Sequence, residues 1–432
     1  METLLKDAVI VSPENKELHL KKRDITINGG KITGISASIP PKGNMDIIHL
    51  KNLHVSLGWF DSGVAFGEPG LEERETISKG LWTAAHSGFT DIVLSPNTLP
   101  DSSSDIVFLK ERSAGERTGL HPMGCLTKGA EGLELAELFD MKNAGAVAFY
   151  DFKRQLSNPN LLKLGLLYAR NFDGLLLSFP QDGHIKGSGV AHEGEVSTSL
   201  GLKGIPALAE ELQIARDLFI LEYTGGKLHI PTISTAKSVQ LIKEAKDKGL
   251  DVSCSVAIHN LFFTDRELEG FDTRYKVSPP LRDKSDIKAL IKGLKTGTID
   301  YVTSDHLPID IENKRLEFDN ALDGTLGLQT AFGCLNKLLG MERSVALLTK
   351  GRSRFGVVCP EFKVGSPANL TLFNPEATYV FREEDIKSTS KNSMFVGSEL
   401  KGKAYGVINN GSMHITYYSE ENLKEKKDGD DQ

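Results

Sequence analysis

The sequence predicts an α/β fold: a TIM (β/α)8 barrel with a small β-sandwich formed by both chain ends. Three observations predict it. From about residue 56 to 350, short apolar runs alternate with amphipathic helical stretches, the texture of repeated βα units. The apolar runs number eight, the count a TIM barrel needs. The two ends are strand-like and carry no helix-period segment, so one module closed by both termini suits them. The expected domains are 1–55 with 351–418 as the composite sandwich, 56–350 as the barrel, and 419–432 as a charged, disordered tail.

In the N-terminal part, AVIVS, ELHL, DITI and KITGIS read as strands, and Asn28-Gly29-Gly30 reads as a hairpin turn. At the other end SPANLTLF, ATYVF, KAYGVIN and SMHITYY read the same way. The eight barrel runs are WFDSGVA, DIVLSPN, HPMGCLT, GAVAFYD, GLLLSFP, KLHIPTI, DVSCSVAIH and IDYVTSDH. Between them lie RETISKGLWTAAHSG, IPALAEELQIARDLFILEY and AKSVQLIKEAKDKG, each with helical spacing. An open doubly wound sheet is the runner-up, but it wants a Gly-rich phosphate turn after an early strand, and the sequence has none.

The chain of 432 residues can bury a sizeable core, and 25% charged with 39% hydrophobic residues is ordinary globular composition. A net charge of −7 without a long basic block argues against a nucleic-acid partner. The start, METLLKDAVIVSPENKEL, lacks the pattern of a secretory leader, and the sequence contains no uncharged apolar run of membrane-spanning length. These points set a cytoplasmic location as the expectation. Cys125, Cys254, Cys334 and Cys359 form no CxxC pair and are expected to be reduced thiols in or near the core.

Barrel enzymes place working groups at the C-terminal ends of strands. Here those ends carry Asp61 with Gly63 and Ala65, Asn97, Asp151, Phe179, Thr232, His259, and Asp305 with His306. Several are polar, yet few can ligate a metal. The chain has no nucleophile elbow, P-loop or dinucleotide turn. Gly187-Ser188-Gly189, after the fifth run, reads as a flexible lid element rather than a phosphate cradle.

The stretch FDSGVAFGEPGLEERETISKGLWTAAHSGFTDIVLSPNTLPD resembles the dihydroorotase signature. So do GLKGIPALAEELQIARD, YKVSPPLRDKSD, GTIDYVTSDHLP, GTLGLQTAFG and GSPANLTLFNP, in the right order over nearly the whole chain. The resemblance implies a TIM barrel plus a β-sandwich from both termini, which agrees with the reading above. It also implies binuclear zinc chemistry interconverting carbamoyl aspartate and dihydroorotate. In that chemistry two metals activate a bridging water and an aspartate moves the proton.

Against that pattern the metal positions are emptied. The family's Asp-x-His-x-His phrase is Asp61-Ser62-Gly63-Val64-Ala65 here, and neither Gly63 nor Ala65 has a donor side chain. Histidines expected at the ends of strands five and six are Phe179 and Thr232. His229 lies three residues before Thr232, an odd offset that on a strand turns it to the opposite face. His184 lies past Phe179 in a Gly-containing loop. Asp61, Asp151 and Asp305 remain where the family has aspartates, and Asp305 matches the proton-shuttling residue. Without a zinc hydroxide, it is expected to be a hydrogen-bonded structural acid.

Substrate positions are eroded as well. The family arginine that clamps the substrate carboxylate corresponds to Gly67. The asparagine of its Val-Asn-Pro-Pro phrase corresponds to Ser278, and the final histidine of its Asp-His-Ala-Pro-His phrase to Ile309. Asn97 survives. Losing an Arg fork removes charge-assisted hydrogen bonds worth about 1.5–3 kcal/mol each. Lys276 and Arg282 are expected to serve packing and loop positioning. His259 and His306 are expected to be satisfied rim histidines, and His19, His49 and His414 surface residues.

The expectation is therefore a non-catalytic dihydroorotase relative that needs no cofactor. The resemblance implies aspartate transcarbamoylase as a structural partner, since some metal-ligand-lacking members serve it, and implies a homo-oligomer. The alternative is an active dihydroorotase, or a hydrolase of another cyclic amide, with an altered zinc site. Asp61, Asp151, His259, Asp305 and His306 would then hold one metal between them.

Overall fold

The Asn28-Gly29-Gly30 turn is the clearest local signal to survive folding. It joins β2 (Lys22–Asn28) to β3 (Lys31–Ser36) as an antiparallel pair, after β1 (Thr3–Val11). Gly29 and Gly30 have φ of +56° and +72°, the left-handed backbone that a tight two-residue hairpin loop requires. β4 (Asp46–Ile48) and β5 (His54–Leu57) then run parallel to β1. The run ELHL, expected as a strand, is a turn instead. The amides of Leu18 and His19 both donate to Asn15 O, which coils this segment locally. This computed structural model describes residues 2–416; the charged tail expected at 419–432 and the last two residues of the expected sandwich lie outside them.

Parallel strands follow, alternating with helices. β6 (Trp59–Val64), β7 (Phe89–Leu94) and β8 (Gly119–Pro122) form one sheet. β9 (Leu175–Leu177) belongs to a second sheet, beyond which β10 (Ala191–His192) and β11 (Gly204–Ile205) pair on their own. β12 (Lys227–Ile230), β13 (Val252–Ala257) and β14 (Tyr301–Thr303) complete the second sheet, in the order β14-β13-β12-β9. All six residues of β13 are buried, as expected for a parallel strand covered on both faces.

The expected fourth run, GAVAFYD, forms no strand. Parallel bridges from Phe149 to Gly124 and to Leu176 nevertheless tie the two sheets together there. On the other side Val64 bridges His306. The result is a curled parallel sheet with helices such as Ile77–His86, Ala207–Thr224 and Ala236–Asp247 outside it. Gly187-Ser188-Gly189 is not an extended loop. It follows the short helix Gly183–Lys186 and leads into the β10–β11 pair, where a Cβ on Gly189 would fall 2.4 Å from Gly204 O.

β15 (Leu370–Val380), β16 (Glu399–Asn409) and β17 (Ser412–Ile415) return the chain to the first module. LTLF and ATYV, expected as two strands, are one strand with a register shift between Asn374 and Thr378. Strands from both ends share one eight-stranded sheet, ordered β17-β16-β15-β5-β1-β2-β3 with β4 on β1. Its core packs Leu5, Ile10, Ile25, Val55, Leu370 and Ile408.

Trp59 joins the module to the curled sheet, with Phe332 and Phe373 at centroid distances of 4.6 and 5.5 Å. Cys125, Cys254 and Cys334 are buried free thiols, while Cys359 is exposed rather than near a core. Among the described residues no helix is long and apolar enough to cross a membrane.

Candidate functional site

The strand ends converge as barrel logic requires, but the groups there are turned toward protein partners. Asp61, on β6, is 1% exposed and accepts three hydrogen bonds. Thr303 Oγ1 donates to Oδ1 at 2.6 Å, Gly63 N to Oδ1 at 2.9 Å, and Ser304 N to Oδ2 at 2.9 Å. Asp151 is likewise occupied by Leu126 N and Thr127 N, both at 2.9 Å, and by Thr127 Oγ1 at 2.6 Å. Burial pushes the Asp151 pKa up, and these donors oppose the shift.

Asp305 is the remaining carboxylate. Lys153 Nζ donates to its Oδ2 at 2.7 Å and to Ser278 O at 2.8 Å. Both side chains are mostly buried, and burial raises the Asp305 pKa while the Lys153 charge pulls it down. Lys153 escaped the sequence reading. No local pattern marks it, because its partner Asp305 lies 152 positions away.

The positions that lack donors are filled. A Cβ built on Gly63 falls 2.3 Å from Thr303 Oγ1, so the threonine hydroxyl occupies the start of any side chain there. Ala65 is buried in an apolar cluster with Leu307 and Ile309, with Phe152 packed against it. Phe179 is buried with Tyr150, Leu177 and Phe355. At Gly67 a Cβ would meet Leu71 O at 1.8 Å, leaving an arginine no room without a backbone shift.

Thr232 has φ of +50° and β12 ends at Ile230, so strand alternation does not reach it. Strand alternation therefore does not relate Thr232 to His229, although the Thr232 backbone amide and the His229 ring both meet Ser255. Its hydroxyl accepts from Thr232 N at 3.3 Å and lies 3.2 Å from His229 Nε2. His229 Nδ1 faces Ser253 Oγ at 2.9 Å and the Tyr301 hydroxyl at 3.1 Å, with its ring stacked on Tyr301. Complete burial drives its pKa well below the usual histidine value. His184 is exposed on the helix Gly183–Lys186.

His259 does not fit the expectation of a satisfied histidine. It is fully buried, and among the described residues neither ring nitrogen has a hydrogen-bond partner. Burial first, then the Lys153 charge, lower its pKa to about 3. It is therefore neutral beside Asp305, 3.9 Å away, and makes no ion pair. His306 Nε2 lies 3.0 Å from Glu75 Oε2, which also accepts from Ser388 Oγ at 2.6 Å. His414 is half-buried against Trp82 and His86 rather than on the surface.

Of the substrate positions, Asn97 donates from Nδ2 to Phe66 O at 3.1 Å, and Ser278 is buried with its carbonyl on Lys153. Lys276 Nζ donates to the carbonyls of Phe318 and Asp319 at 2.6 and 2.9 Å. Arg282 Nε donates to Ser234 Oγ at 2.9 Å, and its Nη2 pairs with Glu210 at 3.5 Å. Ile309 and Asn392 line a cavity of about 860 Å3 beside the strand-eight loop.

A zinc pair needs several neutral imidazoles and free carboxylates within about 2.0–2.2 Å of each ion. This donor set does not fit one. Two carboxylates are saturated by protein donors, the third is paired with a lysine, and four positions have no ligand. Among the described residues no group of three His, Cys, Asp or Glu converges as a metal site.

Comparison with known proteins is consistent in its direction. The profile of the family described as Dihydro-orotase-like matches residues 54–238. A dihydroorotase from Pelotomaculum thermopropionicum is 37% identical over 420 residues, 95% of this chain and 98% of the relative. One from Caldanaerobacter subterraneus is 35% identical over 422 residues, 96% of this chain and 97% of the relative. Among solved structures, L-hydantoinase from Arthrobacter aurescens superposes with a TM-score of 0.81 at 21% identity, covering 96% of this chain and 97% of its own. Dihydropyrimidinase from Brevibacillus agri follows at 0.79 and 21%, covering 96% and 95%. The fold is shared with these two solved structures, and the near full-length matches above 30% identity establish that the chain belongs to the dihydroorotase family.

Proposed function

We propose that this chain is a dihydroorotase-like protein of pyrimidine biosynthesis that does not catalyse the reaction and serves as a structural partner of aspartate transcarbamoylase in the cytoplasm. One observation carries the loss of catalysis: Lys153 Nζ sits 2.7 Å from Asp305 Oδ2. A cation supplied by the chain itself satisfies the carboxylate that matches the family's proton shuttle. The curled sheet is read as the full (β/α)8 barrel, a reading that the bridges at Phe149 and between Val64 and His306 support. Without an ion in its mouth, such a barrel is a rigid platform, and a platform role suits the partner that the resemblance implies.

A second reading has its own support. The relatives that match over most of this chain are named dihydroorotase. An active enzyme would hold a metal with Asp61, Asp151, His259, Asp305 and His306, and Asp61 and Asp151 would have to give up protein donors to do so. Zinc content after purification with zinc, measured with dihydroorotate hydrolysis, tests the choice. The expected result is no stoichiometric zinc and no turnover. Stoichiometric zinc with turnover would install the second reading. Co-purification with aspartate transcarbamoylase at micromolar concentration tests the partnership, and a clean failure removes it.

A further inference from the structure

The helix Lys284–Thr296 buries Leu290, Gly293 and Leu294, and a Cβ on Gly293 would fall 3.0 Å from Val239 of the helix Ala236–Asp247 beside it. Its outer side is built from one residue type. Lys284, Lys288, Lys292 and Lys295 follow one another at steps of four, four and three residues. At 3.6 residues per turn they share an arc of about 80°, which no other residue of the helix enters. All four are exposed, and among the described residues none has a carboxylate within ion-pair reach.

The acids of the two helices are engaged elsewhere. Asp283 accepts from Ser285 N at 2.8 Å, and Asp286 from Ala236 N at 2.7 Å. Asp247 pairs with Lys243, and Glu244 accepts from Gln240 Nε2 at 2.7 Å. Arg343 Nη1 donates to Leu294 O and Lys295 O at 3.4 and 3.1 Å, which brings a fifth cation to the C-terminal end of the row. Several exposed lysines on other elements are balanced, Lys22 by Asp7 at 3.0 Å, Lys128 by Glu134 at 2.9 Å and Lys401 by Glu376 at 2.8 Å. On a chain of net charge −7 the row is a local reversal of sign. Like charges at this spacing work against the helix that carries them.

We propose that this lysine row is a docking face for an acidic helical segment of another protein. Charge and pitch select that occupant. Residues at this spacing stand about 5–6 Å apart, and the row rises about 16 Å along the helix. Glutamates at i, i+4 spacing on a second helix repeat at the same pitch, so each lysine meets a carboxylate when the two helices lie side by side. Docking then relieves the repulsion within the row.

Other anionic partners fit less well. A single-stranded nucleic acid wants aromatic side chains on which bases stack, and the arc has none. A membrane surface wants apolar residues that enter the acyl boundary, and the arc has none of these either. The proposal depends neither on the loss of catalysis nor on the partner named above.

Fluorescence anisotropy with the full chain tests it. The probe is a labelled alanine-based helical peptide of about 20 residues with glutamates at i, i+4 spacing along one face. The wild type is expected to bind it in about 50 mM salt and to lose about tenfold in affinity at about 200 mM. Lys288→Glu with Lys292→Glu is expected to weaken binding by at least about tenfold and to leave thermal unfolding nearly unchanged, because both side chains face solvent. Lys284→Gln with Lys295→Gln is an independent second variant with a smaller expected loss. Lys22→Gln with Lys128→Gln, at exposed lysines outside the row, is expected to bind like the wild type. A peptide of the same composition with its glutamates scattered around the helix is expected to bind more weakly. A wild type that ignores the probe overturns the proposal, as do row variants that bind like the wild type or a scattered peptide that binds equally well. Tighter binding of oligothymidylate or of phosphatidylserine vesicles overturns it in favour of a nucleic acid or a membrane.

Discussion

The Thr303 hydroxyl stands where a side chain on Gly63 would have to begin, 2.3 Å from the Cβ such a residue would carry. That hydroxyl is fixed by the 2.6 Å hydrogen bond it donates to Asp61 Oδ1. The glycine and the threonine are complementary across about 240 residues of chain. Restoring one family residue at position 63 therefore conflicts with the other side of the pair.

Gly63→His together with Ala65→His is expected to leave the protein without zinc. Overpacking a filled core costs about 1–3 kcal/mol for each misfit, so unfolding should shift to lower denaturant. Adding Thr303→Ala should recover part of that loss. Metal analysis and urea titration of the double and triple variants check this, and stoichiometric zinc in the double variant would contradict it.

Lys153 and Asp305 form a mostly buried pair, so removing one partner strands the other. Lys153→Met is expected to cost about 3–5 kcal/mol. Asp305→Asn in the same background should return much of it, because no charge then lacks a partner. A double-mutant cycle read by denaturant unfolding gives the coupling, and additive effects would show that the contact does not hold the site.

His229 sets an acid limit on stability. Its pKa is depressed in the folded protein, so below the ordinary value of 6.5 the unfolded chain binds a proton that the native chain does not. The stabilisation is thus present above pH 6.5 and is lost as pH falls toward the lower native value. At pH 5 the loss is about 2 kcal/mol, from 1.5 pH units at about 1.4 kcal/mol each. His229→Gln should make this limb shallower between pH 5 and 6.5 in thermal unfolding, with His259, whose pKa burial also lowers, carrying a further part of it, while an unchanged slope would rule His229 out as a source.

Much of the fold was legible because parallel strands and their helices differ in period. The all-buried β13 and the helix Ala207–Thr224 both follow from spacing. The donor losses at Gly63, Ala65, Phe179 and Thr232 could also be read directly, since a missing side chain needs no tertiary information. What replaced them could not. Lys153 meets Asp305 across 152 positions, and nothing local announces such a pair. The left-handed turn at Thr232 puts that residue outside the alternation used for His229, because strand periodicity holds only while the strand lasts. The single strand Leu370–Val380 was read as two because its register shift at Asn374 looks like a turn.

Lys153, Thr232 and Asp305 share left-handed backbone, with φ of +53°, +50° and +48°. Each non-glycine residue held there costs about 1–2 kcal/mol, more when it is β-branched like Thr232. Such bends persist only where their surroundings enforce them. The loops around the mouth thus keep a sharp curvature that their surroundings enforce. For protein engineers this is an advantage at three stations: the main chain there is already bent, and the obstacles to installing new chemistry are side chains that can be exchanged.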